Sequence, residues 1–435
     1  MKDEYPVLNK DIYFAKVKTD EGTTITVENL LTTKDYRVNS GTAAFLELCT
    51  GSHTLVNIAK ILSQKSGEPV EDILQGVEKI SAVLQKKGLI TIKETPLKKE
   101  RKTVVELQGE HRPYFAHVEL TNACNLSCLH CANDSGNPYP DELTTQEILS
   151  LIDTLHIMGV TRIVFTGGEP LLHPDLYTFI EYAKDKPMIV DIFTNCTLVT
   201  EEHCKKFAEL GVRKISTSID SIHERVHDTF RGQKGALKRS LRGINLLVEA
   251  GFPVRISISL SKSNKDDIVD IIRYFGERGL TEYQIAPVKY SGRGIDSVVV
   301  SPEDYYTALV DEYTYLKAER PQDILEMHEM DGCGIARDGI FIKADGTVLP
   351  CHGCHKIMGV GNIKNEDLIQ LWNTNEALNM LRNIKPDQDE TCAECQYLST
   401  CAGCIADAFV CGGNIRCYSP YICASMKAYY DVFGQ

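Results

Sequence analysis

Three cysteines stand in the run Cys124-Asn125-Leu126-Ser127-Cys128-Leu129-His130-Cys131, spaced x3 and then x2. A loop of this kind can bring three thiolates together, and three thiolates on a cluster of four irons leave one iron open. An open iron is a place for chemistry, whereas an electron-transfer cluster normally has every iron held by cysteine. The other reading is a zinc knuckle that borrows a fourth ligand from elsewhere in the chain. Further on, Thr166-Gly167-Gly168-Glu169-Pro170 joins two glycines, which let backbone approach a ligand closely, to a carboxylate able to receive an ammonium group.

The chain holds sixteen cysteines, and most of the others lie toward its end: Cys333, Cys351, Cys354, Cys392-x2-Cys395-x5-Cys401-x2-Cys404, Cys411, Cys417 and Cys423. Met1-Lys2-Asp3-Glu4 lacks the basic-then-apolar start of a signal peptide, so a cytoplasmic location is expected. Cytosolic thiols are kept reduced, and this usage therefore points to metal ligation rather than disulfides. Paired C-x2-C knuckles would also suit structural zinc. Cys49, Cys196 and Cys204 stand apart and read as small buried hydrophobes.

The elements that must position these groups alternate between strand and helix from about Tyr114 onward. Strands are expected at His117 to Leu120, Arg162 to Thr166, Ile189 to Asn195, Lys214 to Ile219, Val254 to Leu260 and Tyr283 to Val288. Amphipathic helices lie between them, one carrying Ile148, Leu151, Ile152 and Leu155 behind a capping box of Thr144 and Glu147. Such an order implies a parallel α/β sheet built by right-handed crossovers, with functional groups at the carboxyl ends of strands. Both chemical motifs follow a predicted strand directly. From about Met330 the chain is loop-rich and crowded with cysteine.

The first 95 residues read as a separate module. Tyr13 to Val17 and Thr23 to Val27 suggest a hairpin around Asp20-Glu21-Gly22. Two helical stripes follow, Leu55, Ile58, Ala59, Leu62 and then Ile73, Val77, Ile80, Leu84, before Gly88 and a strand at Leu89 to Ile92. This is a winged-helix pattern. The charged run from Pro96 to Thr103 has no periodicity and reads as a linker.

The cysteine triad and the Gly-Gly-Glu turn together resemble the radical S-adenosylmethionine (SAM) superfamily. The resemblance implies a partial (β/α)6 barrel that binds SAM at the open iron held by Cys124, Cys128 and Cys131. It further implies that Gly167, Gly168 and Glu169 hold the SAM amino group, that Asn195 and Ser218 contact ribose or the methionine part, and that Arg231 meets the carboxylate. Where the family usually has an aromatic residue before the third cysteine this chain has His130, whose ring can still pack on adenine.

Cys333, then twelve residues, then Gly346-x4-Cys351, and the later cysteines resemble the SPASM extension of peptide-modifying radical SAM enzymes. That resemblance implies two auxiliary 4Fe-4S clusters, one on Cys333, Cys351 and Cys404 and one on Cys392, Cys395, Cys401 and Cys423, for three clusters in all. The x2 spacing before Cys404 departs from the usual x3. The first auxiliary set lacks an obvious fourth ligand; Cys354 would supply it, or an iron stays open to a substrate thiolate. Cys417 competes with Cys423 as the last ligand. The amino-terminal module, through Gly41 to Leu48, Gly51 and Leu55, resembles the leader-recognition element of ribosomal peptide pathways and the peptide chaperone of pyrroloquinoline quinone biosynthesis. Such a module adds a leader peptide to a sheet edge.

Expected domains are thus a recognition module at 1–95, a linker at 96–113, a barrel at 114–325 and a SPASM domain at 326–435. The expected activity is maturation of a leader-bearing peptide by an intramolecular crosslink, with a thioether favoured by the missing ligand and a carbon–carbon bond or formylglycine formation as alternatives. A metal-dependent peptide-binding module is the non-enzyme alternative. The radical chemistry calls for a reducing donor such as a flavodoxin or ferredoxin. A net charge of -13 argues against nucleic acid, and the chain has no apolar run that would span a membrane.

Overall fold

The computed structural model describes residues 4–9, 11–19, 22–30, 34–36, 38–97, 105–107, 111–324, 327, 332–354, 356–412 and 419–434. Asp20, Glu21, most of the expected linker run, Met330 and Cys417 lie outside the described residues. The chain forms two compact units: residues 1–110 with the stretches 153–161 and 185–189, and residues 111–152, 162–184 and 190–435.

In the first unit the hairpin forms from Ile12–Thr19 and Gly22–Asn29, paired antiparallel throughout. Lys34–Tyr36 flanks it on one side, and Val105–Glu106 runs parallel to it on the other, so part of the expected linker is a strand. Three helices follow the hairpin: Ser40–Glu47 capped by Asn39, Leu55–Ser66 capped by Thr54, and Val70–Lys86. Their apolar stripes bury Phe45, Leu46, Ile58, Val77 and Leu84 in one core. Ile90–Lys93 then pairs antiparallel with Tyr5–Leu8 in a separate two-stranded sheet.

The second unit is built on a nine-stranded sheet. Phe115–Glu119, Arg162–Thr166, Ile189–Phe193, Lys214–Ser218, Val254–Leu260 and Tyr283–Pro287 lie side by side in chain order, the arrangement expected of a (β/α)6 barrel. The capping box forms as read: the Thr144 N–H donates to Glu147 Oε2 at 2.7 Å and the Glu147 N–H to Thr144 Oγ1 at 3.3 Å. The alternating strands expose an interior face: Val254–Leu260 buries every second residue among the helices and turns Arg255, Ser257 and Ser259 the other way.

The sheet continues past its first barrel strand. Gly339–Ile342 pairs parallel with Phe115–Glu119, and Thr347–Leu349 and Gly361–Asn362 extend it antiparallel. The cysteine-rich region is therefore grafted onto the barrel sheet, which periodicity did not reveal. Among the described residues no helix is long and apolar enough to cross a membrane.

Candidate active site

The Cys124–Cys131 loop leaves the carboxyl end of the first barrel strand and is held from several directions. Glu142 accepts from the Asn122 N–H at 2.6 Å and from the Thr121 hydroxyl at 2.9 Å. The Ser127 and Leu129 N–H groups donate to the carbonyls of Arg231 and Phe230 at 3.2 and 2.9 Å. Gly232, at φ +67, allows that approach, because a Cβ there would lie 2.3 Å from the Ser127 oxygen. Arg293, which sequence reading missed, donates through Nε to the Cys128 carbonyl at 2.7 Å and through a terminal nitrogen to the Ser135 carbonyl at 2.8 Å. A second missed residue, Lys343, is buried beside Glu119 at 3.0 Å and donates to Asn133 at 3.1 Å, tying the cysteine loop to the strand Gly339–Ile342. Neither has a local motif; each is brought in by a long-range pairing.

Cys124, Cys128 and Cys131 line a cavity of about 320 Å³, together with His130, Gly167, Gly168, Asn195, Ser218 and Arg231. Its size falls within the range of small-molecule sites. Nine of the expected residues thus converge on one space, and Glu169 does not line it. Its buried carboxylate accepts from Thr194 Oγ1 at 2.7 Å, the Asn195 N–H at 2.8 Å and the Leu171 N–H at 3.1 Å. Burial pushes its pKa up to about 7 against those donors. Glu169 therefore braces the second and third strand ends. The glycines likewise approach the protein itself: a Cβ on Gly168 would lie 2.4 Å from the Ala123 oxygen.

Asn195 donates to Asn125 Oδ1 at 2.9 Å, joining the cysteine loop to the third strand end. Arg231 is buried, its Nε 2.6 Å from Asp220 and a terminal nitrogen 3.8 Å from Cys128 Sγ. His130 stacks on Phe230 with centroids 4.2 Å apart, and burial, reinforced by Arg231 and Arg293, holds its ring neutral. Burial raises the Cys124 thiol to about 11, so ligation there must displace the proton.

Two further cysteine groups form. Cys392, Cys395, Cys401 and Cys423 line a mainly apolar cavity of about 210 Å³. In the other group the Cys354 N–H donates to the Cys351 carbonyl at 3.1 Å, and the two thiols interact. Cys354 also feels Cys404 and Cys333, while the Cys333 sulfur is bonded by the Ile405 backbone. Cys354 thus stands near the three cysteines expected to hold the first auxiliary cluster. Among the described residues no three His, Cys, Asp or Glu side chains converge closely enough for a single metal ion. Cys49, Cys196 and Cys204 are buried.

An α/β barrel with a cysteine loop at a strand end, opening on a small-molecule cavity, defines the class. Residues 118–275 match the Radical SAM superfamily and residues 333–396 match SPASM, an iron-sulfur cluster-binding domain. The AdoMet-dependent heme synthase of Methanosarcina barkeri is 33% identical over 337 residues, covering 71% of this chain and 96% of that protein. The sporulation killing factor maturation protein SkfB of Bacillus subtilis is 30% identical over 247 residues, covering 55% of this chain and 60% of its own. Streptococcus suis SuiB, solved bound to precursor peptide SuiA, shares the fold with a TM-score of 0.65 at 16% identity, over 96% of this chain and 99% of that one. The chain belongs to the radical SAM superfamily and carries a SPASM domain. These domains imply SAM and 4Fe-4S clusters, and the cysteine-lined cavities offer the thiolate donors such clusters need.

Proposed function

We propose that this chain is a radical SAM peptide maturase that installs an intramolecular crosslink in a ribosomally made, leader-bearing peptide. The observation carrying this reading is the fold correspondence with SuiB, which spans nearly the whole chain, amino-terminal module included, and whose partner in that structure is a precursor peptide. In this reading residues 1–95, with the added strand Val105–Glu106, take the leader, 114–325 form the catalytic barrel and 326–435 hold the auxiliary clusters. Capture of the leader raises the local concentration of the core peptide without tight contacts at the reacting residue.

Cys124, Cys128 and Cys131 would hold the SAM-binding cluster. Cys333, Cys351, Cys354 and Cys404 would hold one auxiliary cluster, and Cys392, Cys395, Cys401 and Cys423 the other. When bound, the first cluster and SAM supply a 5'-deoxyadenosyl radical able to remove a hydrogen atom from carbon. The chain's own part is positional. Gly167 and Gly168 offer backbone to the SAM amino group, Arg231 presents a cation toward its carboxylate, Asn195 and Ser218 offer polar contacts, and neutral His130 offers a flat face. A flavodoxin or ferredoxin would supply the electron.

The thioether expectation rested on an open auxiliary iron. The proximity of Cys354 to Cys351, Cys404 and Cys333 supports a fourth protein ligand there instead, and a cluster with four protein thiolates passes electrons without binding substrate sulfur. A carbon–carbon crosslink is therefore the product this arrangement favours. A second reading, action on a tetrapyrrole, draws support from the identity with the heme synthase.

Co-expression with the short peptide encoded beside the gene tests the proposal. A peptide lighter by two hydrogens, with every cysteine still open to alkylation, is expected; alkylation-resistant cysteines would restore the thioether. Anaerobic protein that cleaves SAM but leaves the peptide unchanged while converting an iron porphyrin would overturn the peptide reading. Exchange of Cys124, Cys128 and Cys131 for Ala should abolish deoxyadenosine formation yet leave roughly eight of about twelve irons in place.

A further inference from the structure

Among the described residues, the barrel interior contains a cation with no ion pair. Strand register sets Phe193, Ser216 and Arg255 in one row across three parallel strands, and Ser218 and Ser257 in the next. Register partners in parallel strands share a face. Phe193, Ser216, Ser218 and Ser257 all line the cavity described above, so Arg255 belongs to the same interior surface. Its guanidinium carbon lies 5.4 Å from the Phe193 ring centroid. His117 packs edge-on against the same ring at 5.3 Å and stacks on His352, from the Cys351–Cys354 turn, at 5.1 Å.

Among the described residues, two polar atoms in this row have no hydrogen-bond partner. Arg255 Nε and Ser216 Oγ are both buried and unbonded, and among the described residues no ion pair reaches the Arg255 guanidinium. The nearby interior carboxylates are committed elsewhere: Glu119 to Lys343 and Asp191 to Arg213. Arg255 is half-buried with Nε as its buried donor, and a planar fork beside a hydroxyl on an interior surface matches a carboxylate. Aromatic walls on one side would exclude water from that pair and strengthen it.

We propose that Arg255 and Ser216 form a carboxylate-binding subsite in the barrel interior, which takes an acidic group of the substrate and so fixes which carbon faces the SAM cavity. Under the peptide reading above, on which this source depends, the group is an Asp or Glu side chain of the core peptide. The same chemistry would take a propionate of a tetrapyrrole.

Calorimetric titration of the reconstituted enzyme, with SAM present, distinguishes these. The probes are capped pentapeptides differing only in Glu or Gln at the centre, and mesoporphyrin with its dimethyl ester. The acidic member of one pair should bind about tenfold or more tighter than its neutral partner. Arg255→Gln should erase that preference, and Arg255→Lys should restore part of it. Preference confined to the Glu peptide supports both proposals; preference confined to mesoporphyrin keeps the subsite and removes the peptide reading. Equal binding of acid and neutral forms by the unaltered enzyme, or no binding of either acid at millimolar concentration, overturns the subsite. So would a loss of SAM affinity in Arg255→Gln larger than the loss for the probes, since Arg255 would then serve the carboxylate of SAM itself.

Discussion

Arg293 Nε donates to the carbonyl oxygen of Cys128 at 2.7 Å, so the middle cysteine of the catalytic loop is aimed by a residue far from it in sequence. The Arg293 backbone N–H donates to the Cys131 carbonyl at 3.0 Å as well, which makes the 289–294 segment a clamp on the loop. Groups of this kind orient ligands without touching the metal.

Arg293→Ala should therefore weaken iron retention at Cys124, Cys128 and Cys131 by about 10- to 100-fold and spare the auxiliary iron. Chelator challenge followed by electron paramagnetic resonance of the SAM-bound cluster measures it. Arg293→Lys should recover only part of the loss, because an ammonium cannot reproduce the fork. Retention equal to that of the unaltered protein would show that the clamp is incidental.

Gly232 and Gly251 both have positive φ, at +67 and +83, but only Gly232 faces a neighbour, the Ser127 carbonyl. Gly251→Ala should cost about 1 kcal/mol of left-handed strain. Gly232→Ala should cost more and also loosen the cysteine loop. Thermal unfolding and iron content of the two variants decide this; matching losses would rule out the close approach as the cause.

Cys354→Ala should alter the resting spectrum of an auxiliary cluster and lower its iron content, whereas Cys411→Ala, removing an exposed thiol, should do neither. An unchanged spectrum for Cys354→Ala would reopen the vacant-iron account and with it the thioether product.

Glu169 gives a dependence on pH. Its folded pKa is raised by burial to about 7 from an ordinary value of 4.5, so the native state holds its proton more tightly than the unfolded chain. The contribution to stability is complete below pH 4.5 and is lost as pH rises through about 7. Glu169→Gln should lower stability overall, because its amide meets the Asn195 N–H, and should flatten the fall in Tm between those limits. Parallel curves for the two proteins would contradict the raised pKa.

The six barrel strands and the capping box of Thr144 and Glu147 were legible because they rest on local patterns: period-two runs, helical stripes and a side chain three residues from its partner. The same holds for the hairpin and for the helices Leu55–Ser66 and Val70–Lys86 of the amino-terminal module, while the helix Ser40–Glu47 was not read. Val105–Glu106 was not legible, since two residues in a charged stretch carry no periodicity and become a strand only by pairing with Ile12–Thr19.

The sequence by itself determined the chemistry of the site. Thiol spacing at Cys124, Cys128 and Cys131 and the paired knuckles near the end mark metal-ligating loops, because ligand type and local spacing are properties of one loop. Tertiary structure alone decided which distant groups share a space. It turned Glu169 inward as a brace, brought Cys354 beside Cys333 and Cys404, and set Arg293 and Lys343 on the cysteine loop. Among the described residues it also left Arg255 Nε without a hydrogen-bond partner, in one strand row with Ser216. Contacts between residues far apart in the chain depend on strand order and register, and no stretch of sequence short enough to read as a motif contains both partners.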